Sequence, residues 1–168
     1  MVLFCYDNPA LPALLADLAK APTLLLLTPG PAQQQVAEAP AAVRLARLPF
    51  LSQTDFDHLL WSADLNFVRG EDSLVRALWA GAPFMWQAYP QDDGAHGPKL
   101  EALMHQWQPA PAVAAIWRAW NGLAGAPWPG LPPLPAWQPA LYTWRQRLLA
   151  QPDLATQLLA FVGGKTHA

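Results

Sequence analysis

Cysteine occurs once, at Cys5, so no disulfide can close within this chain. A lone thiol in an apolar run reads as a small core hydrophobe, and its isolation fits a reducing cytoplasm. Charge is scarce as well. Only 13% of residues are charged, and 10 Lys and Arg face 12 Asp and Glu for a formal net charge of -2. With no basic patch, nucleic acid is not an expected partner. The apolar run at residues 24–27 is far shorter than the ~20 residues a membrane span needs, and the N-terminus lacks the basic stretch of a secretion signal, so no membrane is expected either. His58, His96, His105 and His167 stand at no metal-ligand spacing. No Gly-x-Gly-x-x-Gly follows the first apolar run, and no Gly-x-Ser-x-Gly occurs, so a dinucleotide fingerprint and a serine-hydrolase elbow are both missing.

What is abundant is apolar surface. The chain is 53% hydrophobic over 168 residues, enough for one domain, residues 1–168, with a sizeable core. Most of the 9 Trp are expected to fill that core. Strands are predicted at residues 2–6, 23–27, 43–48, 65–68 and 83–86. Helices are predicted between them, with Asn8 capping the first and Pro9 at its first position, and a short one at 32–38. Residues 23–27 are apolar throughout the interior, as in a strand covered on both faces. After a turn-rich loop at 89–94, which holds Asp92 and Asp93, the strands stop. Helices follow at 99–107, 110–123, 140–150 and 153–162, with a proline-rich link at 126–139.

Alternating strands and helices imply an α/β fold, a Rossmann-like parallel sheet with right-handed crossovers, flanking helices and a helical C-terminal tail. With strand order 3-2-1-4-5, the ligand crevice of such a sheet opens between strands one and four, outside their carboxyl ends. Residues 4–7 would line one side and residues 69–73 the other.

That second side is Arg69-Gly70-Glu71-Asp72-Ser73, the junction between the fourth strand and an amphipathic helix. The first N–H groups of a helix lack partners and carry the positive end of its dipole, which attracts phosphate. Gly70 permits close approach of a backbone or ligand, Arg69 offers a planar fork to phosphate oxygens, and Ser73 can bond a phosphate or cap the helix. The same residues also suit an ordinary capped helix, since acids in a first turn complement the dipole. Two adjacent acids repel a phosphate unless one points elsewhere, so any role of Glu71 would lie beyond the phosphates.

Asp55-Phe56-Asp57 matches the Asp-x-Asp pattern of some metal-dependent sugar transferases, but two positions apart on a helix the acids diverge. Ser52 and Asp55 read instead as a capping box, and no metal is expected. Phe50 follows strand three at the same sheet edge, where it could stack a nucleobase or staple the Ser52 cap.

Three stretches, residues 48–57 (Leu-Pro-Phe-Leu-Ser-Gln-Thr-Asp-Phe-Asp), 63–73 (ending Arg-Gly-Glu-Asp-Ser) and 83–91 (Pro-Phe-Met-Trp-Gln-Ala-Tyr-Pro-Gln), resemble the bacterial protein-arginine rhamnosyltransferases, the EarP family. Members of that family attach rhamnose to an arginine of translation elongation factor P. The resemblance implies the C-terminal half of a GT-B glycosyltransferase, which holds the donor TDP-rhamnose. It implies that Phe4, Tyr6, Phe50, Gln53, Arg69, Gly70, Asp72 and Ser73 bind the nucleotide sugar, with no cofactor and no metal. It makes Glu71 the catalytic or sugar-positioning acid. Nothing here corresponds to the family's N-terminal domain, which carries further catalytic carboxylates and the main docking surface for elongation factor P. This chain alone is therefore expected to bind the donor without turning it over. The competing class is a non-catalytic Rossmann-like module that binds a nucleotide or a protein.

Overall fold

A computed structural model describes residues 1–91, 94–125 and 127–165. Asp92 and Asp93 of the expected loop, residue 126 of the expected link, and His167 lie outside the described residues. Five strands, β1 (Val2–Leu3), β2 (Thr23–Leu27), β3 (Val43–Arg47), β4 (Asn66–Arg69) and β5 (Phe84–Gln87), form one sheet in the order β3-β2-β1-β4-β5. Every pairing is parallel, with Leu3 beside both Leu27 and Phe67, and Arg69 beside Gln87. This is the predicted α/β order, and the carboxyl ends of all five strands gather at one edge.

The first strand is shorter than predicted. The Phe4 N–H still reaches Phe67 O at 2.9 Å, but the Tyr6 N–H donates to Gln87 Oε1 at 2.9 Å instead of to a neighbouring strand. Residues 4–7 thus leave the ladder and bend across the carboxyl edge. Cys5 is buried there, and burial pushes its thiol up to about 12, with the Arg69 charge opposing the shift. It is a neutral core thiol, as its apolar surroundings require.

The sheet is flanked by helices α1 (Leu11–Leu18), α2 (Pro31–Gln35), α3 (Gln53–Ser62), α4 (Gly70–Ala80), α5 (His96–Trp107), α6 (Pro111–Trp120), α7 (Gln138–Leu149) and α8 (Leu154–Lys165). In α1 the apolar spacing buries Leu11, Leu14 and Leu18. Asn8 does not cap it directly. Its Oδ1 accepts from Ala10 N while its Nδ2 donates to Trp120 O, so Pro9 stays outside the helix and Asn8 ties the loop to α6. The weak helix predicted at 32–38 ends early, at Gln35. Strand β2 is not covered on both faces along its whole length, because Leu24 is 45% exposed.

Tryptophan holds the helical tail to the sheet. Trp86, Trp117, Trp120 and Trp137 are fully buried; Trp120 packs on Phe67, and Trp117 on Phe84 and Trp107. Such rings carry large apolar burial each. Asn121, at the end of α6, accepts from Ala88 N and donates to Trp86 O, both at 2.9 Å, and so extends the hydrogen bonding of the β5 edge. No helix among the described residues is long and apolar enough to cross a membrane.

Candidate functional site

The carboxyl edge of the sheet presents one cation held between two aromatic rings. The guanidinium carbon of Arg69 lies 4.5 Å from the Phe4 ring centroid and 4.7 Å from that of Tyr6, and Nη1 donates to Cys5 O at 3.1 Å. The strand sequence explains this. Phe4 and Tyr6 alternate with buried Cys5 as residues 4–6 cross the edge, and Arg69 ends the adjacent strand, so its fork enters the gap between the rings. Cation–π contact of this kind contributes about 0.5–2 kcal/mol and fixes a side chain that otherwise samples many rotamers. Tyr6 is held in turn by Tyr89, at 5.4 Å between centroids.

Gly70 starts α4 with φ +70°, in the left-handed region. A Cβ there would sit 3.3 Å from the Tyr6 hydroxyl, and Trp86 Nε1 donates to Gly70 O at 2.9 Å. The turn is therefore pinned from both sides, and Arg69 supplies no side-chain cap to α4. Glu71 and Asp72 occupy the first helical turn, where the dipole favours them, and Ser73 is buried behind them.

Beside Arg69 opens a cleft of about 340 Å³, whose lining includes Phe4, Phe50, Gln53, Arg69, Asp72 and Ser73. Phe50 is 91% exposed, a ring presented to solvent at the cleft mouth. Six of the nine predicted site residues thus share one cleft. The other three do not line it. Tyr6 backs Arg69, Gly70 shapes the turn, and Glu71 points to α5, where Oε1 accepts from Lys99 Nζ at 2.9 Å. The Lys99 hydrogen bond, with that of its own backbone, holds the Glu71 carboxyl below the usual range.

The α3 start is capped as predicted: Ser52 Oγ accepts from Asp55 N at 3.1 Å, and also donates to the Asp55 carboxylate at 2.7 Å. Asp57 faces elsewhere, to Arg76. Among the described residues, no three His, Cys, Asp or Glu side chains gather as metal ligands.

Several lining residues lie outside the predicted set. Thr28, at the carboxyl end of β2, is buried in the cleft wall with Oγ1 donating to Leu3 O at 3.1 Å. Arg76 lines the cleft one helical turn beyond Asp72; the i, i+4 spacing of an acid and an arginine could have revealed it. A second cavity, about 430 Å³, lies at the opposite end of α4 between Leu78, Gly81 and Arg145. It sits at the amino ends of the strands, the side of a parallel sheet where ligands are not collected.

The family model described as Elongation-Factor P (EF-P) rhamnosyltransferase EarP matches residues 1–163. The chain belongs to this family. A protein-arginine rhamnosyltransferase of Pseudomonas aeruginosa is 41% identical over 184 aligned positions, gaps included, a match that covers 95% of this chain and 49% of that protein. One of Pseudomonas putida is also 41% identical, over 189 aligned positions, covering 95% and 48% respectively. The chain therefore spans about half the length of these curated relatives. A solved structure concerned with EarP-mediated arginine glycosylation of translation elongation factor EF-P superposes with a TM-score of 0.73 at 36% identity, over 97% of this chain and 59% of that one. The Rossmann-like sheet described above is thus the fold of this EarP chain too.

Proposed function

We propose that this chain is the donor-binding half of a cytoplasmic GT-B enzyme that transfers rhamnose from TDP-rhamnose to an arginine of elongation factor P, inverting the anomeric centre. The observation that carries this reading is the Arg69 guanidinium, clamped between Phe4 and Tyr6 at the switch point of the sheet, with an open cleft beside it. A planar cation fixed before any ligand arrives suits a diphosphate, which needs strong donors in a set geometry. The N–H groups of the first turn of α4, at the positive end of its dipole, add to it.

In this reading the nucleobase stacks on exposed Phe50 near Gln53, and the diphosphate lies between Arg69 and Ser73. Asp72 would repel the diphosphate if alone, but Arg76 Nε binds it at 2.8 Å and offsets its charge. No metal is required, because Arg69 and the helix N–H groups stabilise the leaving diphosphate by fixed charge and dipoles. In the transfer itself the acceptor nitrogen bonds the anomeric carbon as the bond to the diphosphate oxygen breaks. The electron pair leaves with TDP, and the acceptor's proton passes to a carboxylate. The guanidinium is protonated in water, so it needs acids that orient it as well as accept that proton. Glu71, turned away from the diphosphate, is the acid this half supplies. The chain alone binds the donor, and turnover needs the further half that its relatives carry.

Calorimetry with TDP, TDP-rhamnose, UDP and NAD tests the reading. TDP and TDP-rhamnose should bind more tightly than UDP or NAD. Equal or tighter binding of NAD would favour a general nucleotide-binding module.

A further inference from the structure

Lys99 stands in the first turn of α5, where the helix dipole disfavours a cation. Its Nζ nevertheless reaches across to Glu71 Oε1 at 2.9 Å, joining the starts of α4 and α5 at the carboxyl edge of the sheet. Both side chains are about half-exposed or more. A solvated pair of this kind adds little to stability, so stability gives no reason for a lysine at that place. Position does. Glu71 is an exposed side chain on a first helical turn, free to sample rotamers unless something holds it. A cation bound to one carboxylate oxygen fixes that rotamer and leaves the second oxygen open to another donor.

We propose that Lys99 is the positioning residue for Glu71: from α5 it binds Oε1 and holds the carboxylate between the starts of α4 and α5, at the carboxyl edge of the sheet, with its second oxygen left to receive the acceptor's guanidinium. The inference rests on the reading of Glu71 as the acid that faces the acceptor. It also explains why Glu71 stands apart from the diphosphate residues. Lys99 draws it toward α5 and away from Arg69, so that the acid does not neutralise the cation on which the donor depends.

The test uses the full-length form, this chain together with the half its relatives carry beyond the match, and compares Glu71→Gln, Lys99→Met, Lys99→Arg and the double variant Glu71→Gln/Lys99→Met. A misplaced catalytic group costs about ten- to a hundredfold in rate. Lys99→Met should therefore lower kcat about tenfold or more, with the KM for TDP-rhamnose within about twofold. Lys99→Arg should restore most of the rate, and in the Glu71→Gln background the Lys99 change should add nothing. Full turnover in Lys99→Met beside a crippled Glu71→Gln overturns the inference and leaves the role of Glu71 standing. Full turnover in Glu71→Gln removes the reading on which it rests. A Lys99→Arg variant no better than Lys99→Met, a further loss in the double variant, or a donor KM that rises as much as kcat falls would each overturn positioning by Lys99.

Discussion

Arg76 Nη1 donates to both carboxylate oxygens of Asp57, at 3.0 and 2.9 Å, and so ties α4 to α3. The same side chain reaches Asp72 through Nε. Both helices line the cleft, Gln53 and Phe56 from α3 and Asp72, Ser73 and Arg76 from α4, with Phe50 in the loop before α3. Arg76 therefore joins the two helices that line the cleft and pairs with the Asp72 carboxylate. Replacement by Met should weaken TDP binding severalfold, because the clamp opens and Asp72 is left facing an anion. Calorimetry on the folded variant checks this. Unchanged affinity would show that α3 and α4 hold their spacing without the clamp.

The sheet was legible because alternation of apolar runs and helical spacing is a local property of the chain. Residues 43–48 and 65–68 read as strands within a residue of where β3 and β4 lie, and a parallel sheet follows from the alternation. The bend at Tyr6 was not legible, since it depends on the Gln87 side chain 81 positions away. Asn8 looked like a helix cap because its local sequence is that of one, yet a tertiary bond to Trp120 decides its place. That Arg69, Asp72 and Ser73 stand side by side was legible because one junction holds them all. Lys99 lies 28 positions from Glu71, and no local pattern joins them.

The Asp17 carboxylate accepts from Trp128 Nε1 at 2.6 Å and Leu131 N at 2.7 Å, and pairs with Lys20. It ties α1 to the proline-rich link. Burial alone would raise its carboxyl, but the bonds from Lys20, Trp128 and Leu131 outweigh that and hold it below the ordinary range. The stability it contributes is therefore complete above the ordinary carboxylate range, near pH 4, and is lost as pH falls through its lower folded value. Asp17→Asn should lower unfolding free energy at pH 7 by about 1.5–3 kcal/mol, the scale of hydrogen bonds to a charged group, and flatten the acid limb. Denaturant titrations from pH 7 to pH 3 check it; an acid limb as steep as that of the parent chain would contradict it.

Gly70→Ala places a methyl at φ +70° and 3.3 Å from the Tyr6 hydroxyl. The left-handed conformation costs about 1–2 kcal/mol for a residue with a Cβ. Tyr6 must also give by a few tenths of an ångström, which loosens its contact with Arg69. The expected outcome is that loss of stability together with weaker TDP binding. A variant with the stability and affinity of the parent would show that the turn relaxes without cost.

Donor binding should persist in excess EDTA. Asp57 is engaged by Arg76 and Asp55 by Ser52, so the Asp-x-Asp pair does not converge on a common ion. TDP calorimetry with and without EDTA, then with added Mn²⁺ or Mg²⁺, checks this. A strict requirement for either ion would contradict it.

The central claim is that Arg69, held between Phe4 and Tyr6, binds the diphosphate of the donor. Titration of TDP into this chain and into its Arg69→Ala variant measures it directly. The account predicts clear binding to the parent and a loss of about 1.5–3 kcal/mol in a variant that keeps its fold, the range for a hydrogen bond to a charged group. Equal affinity in the two chains would contradict it.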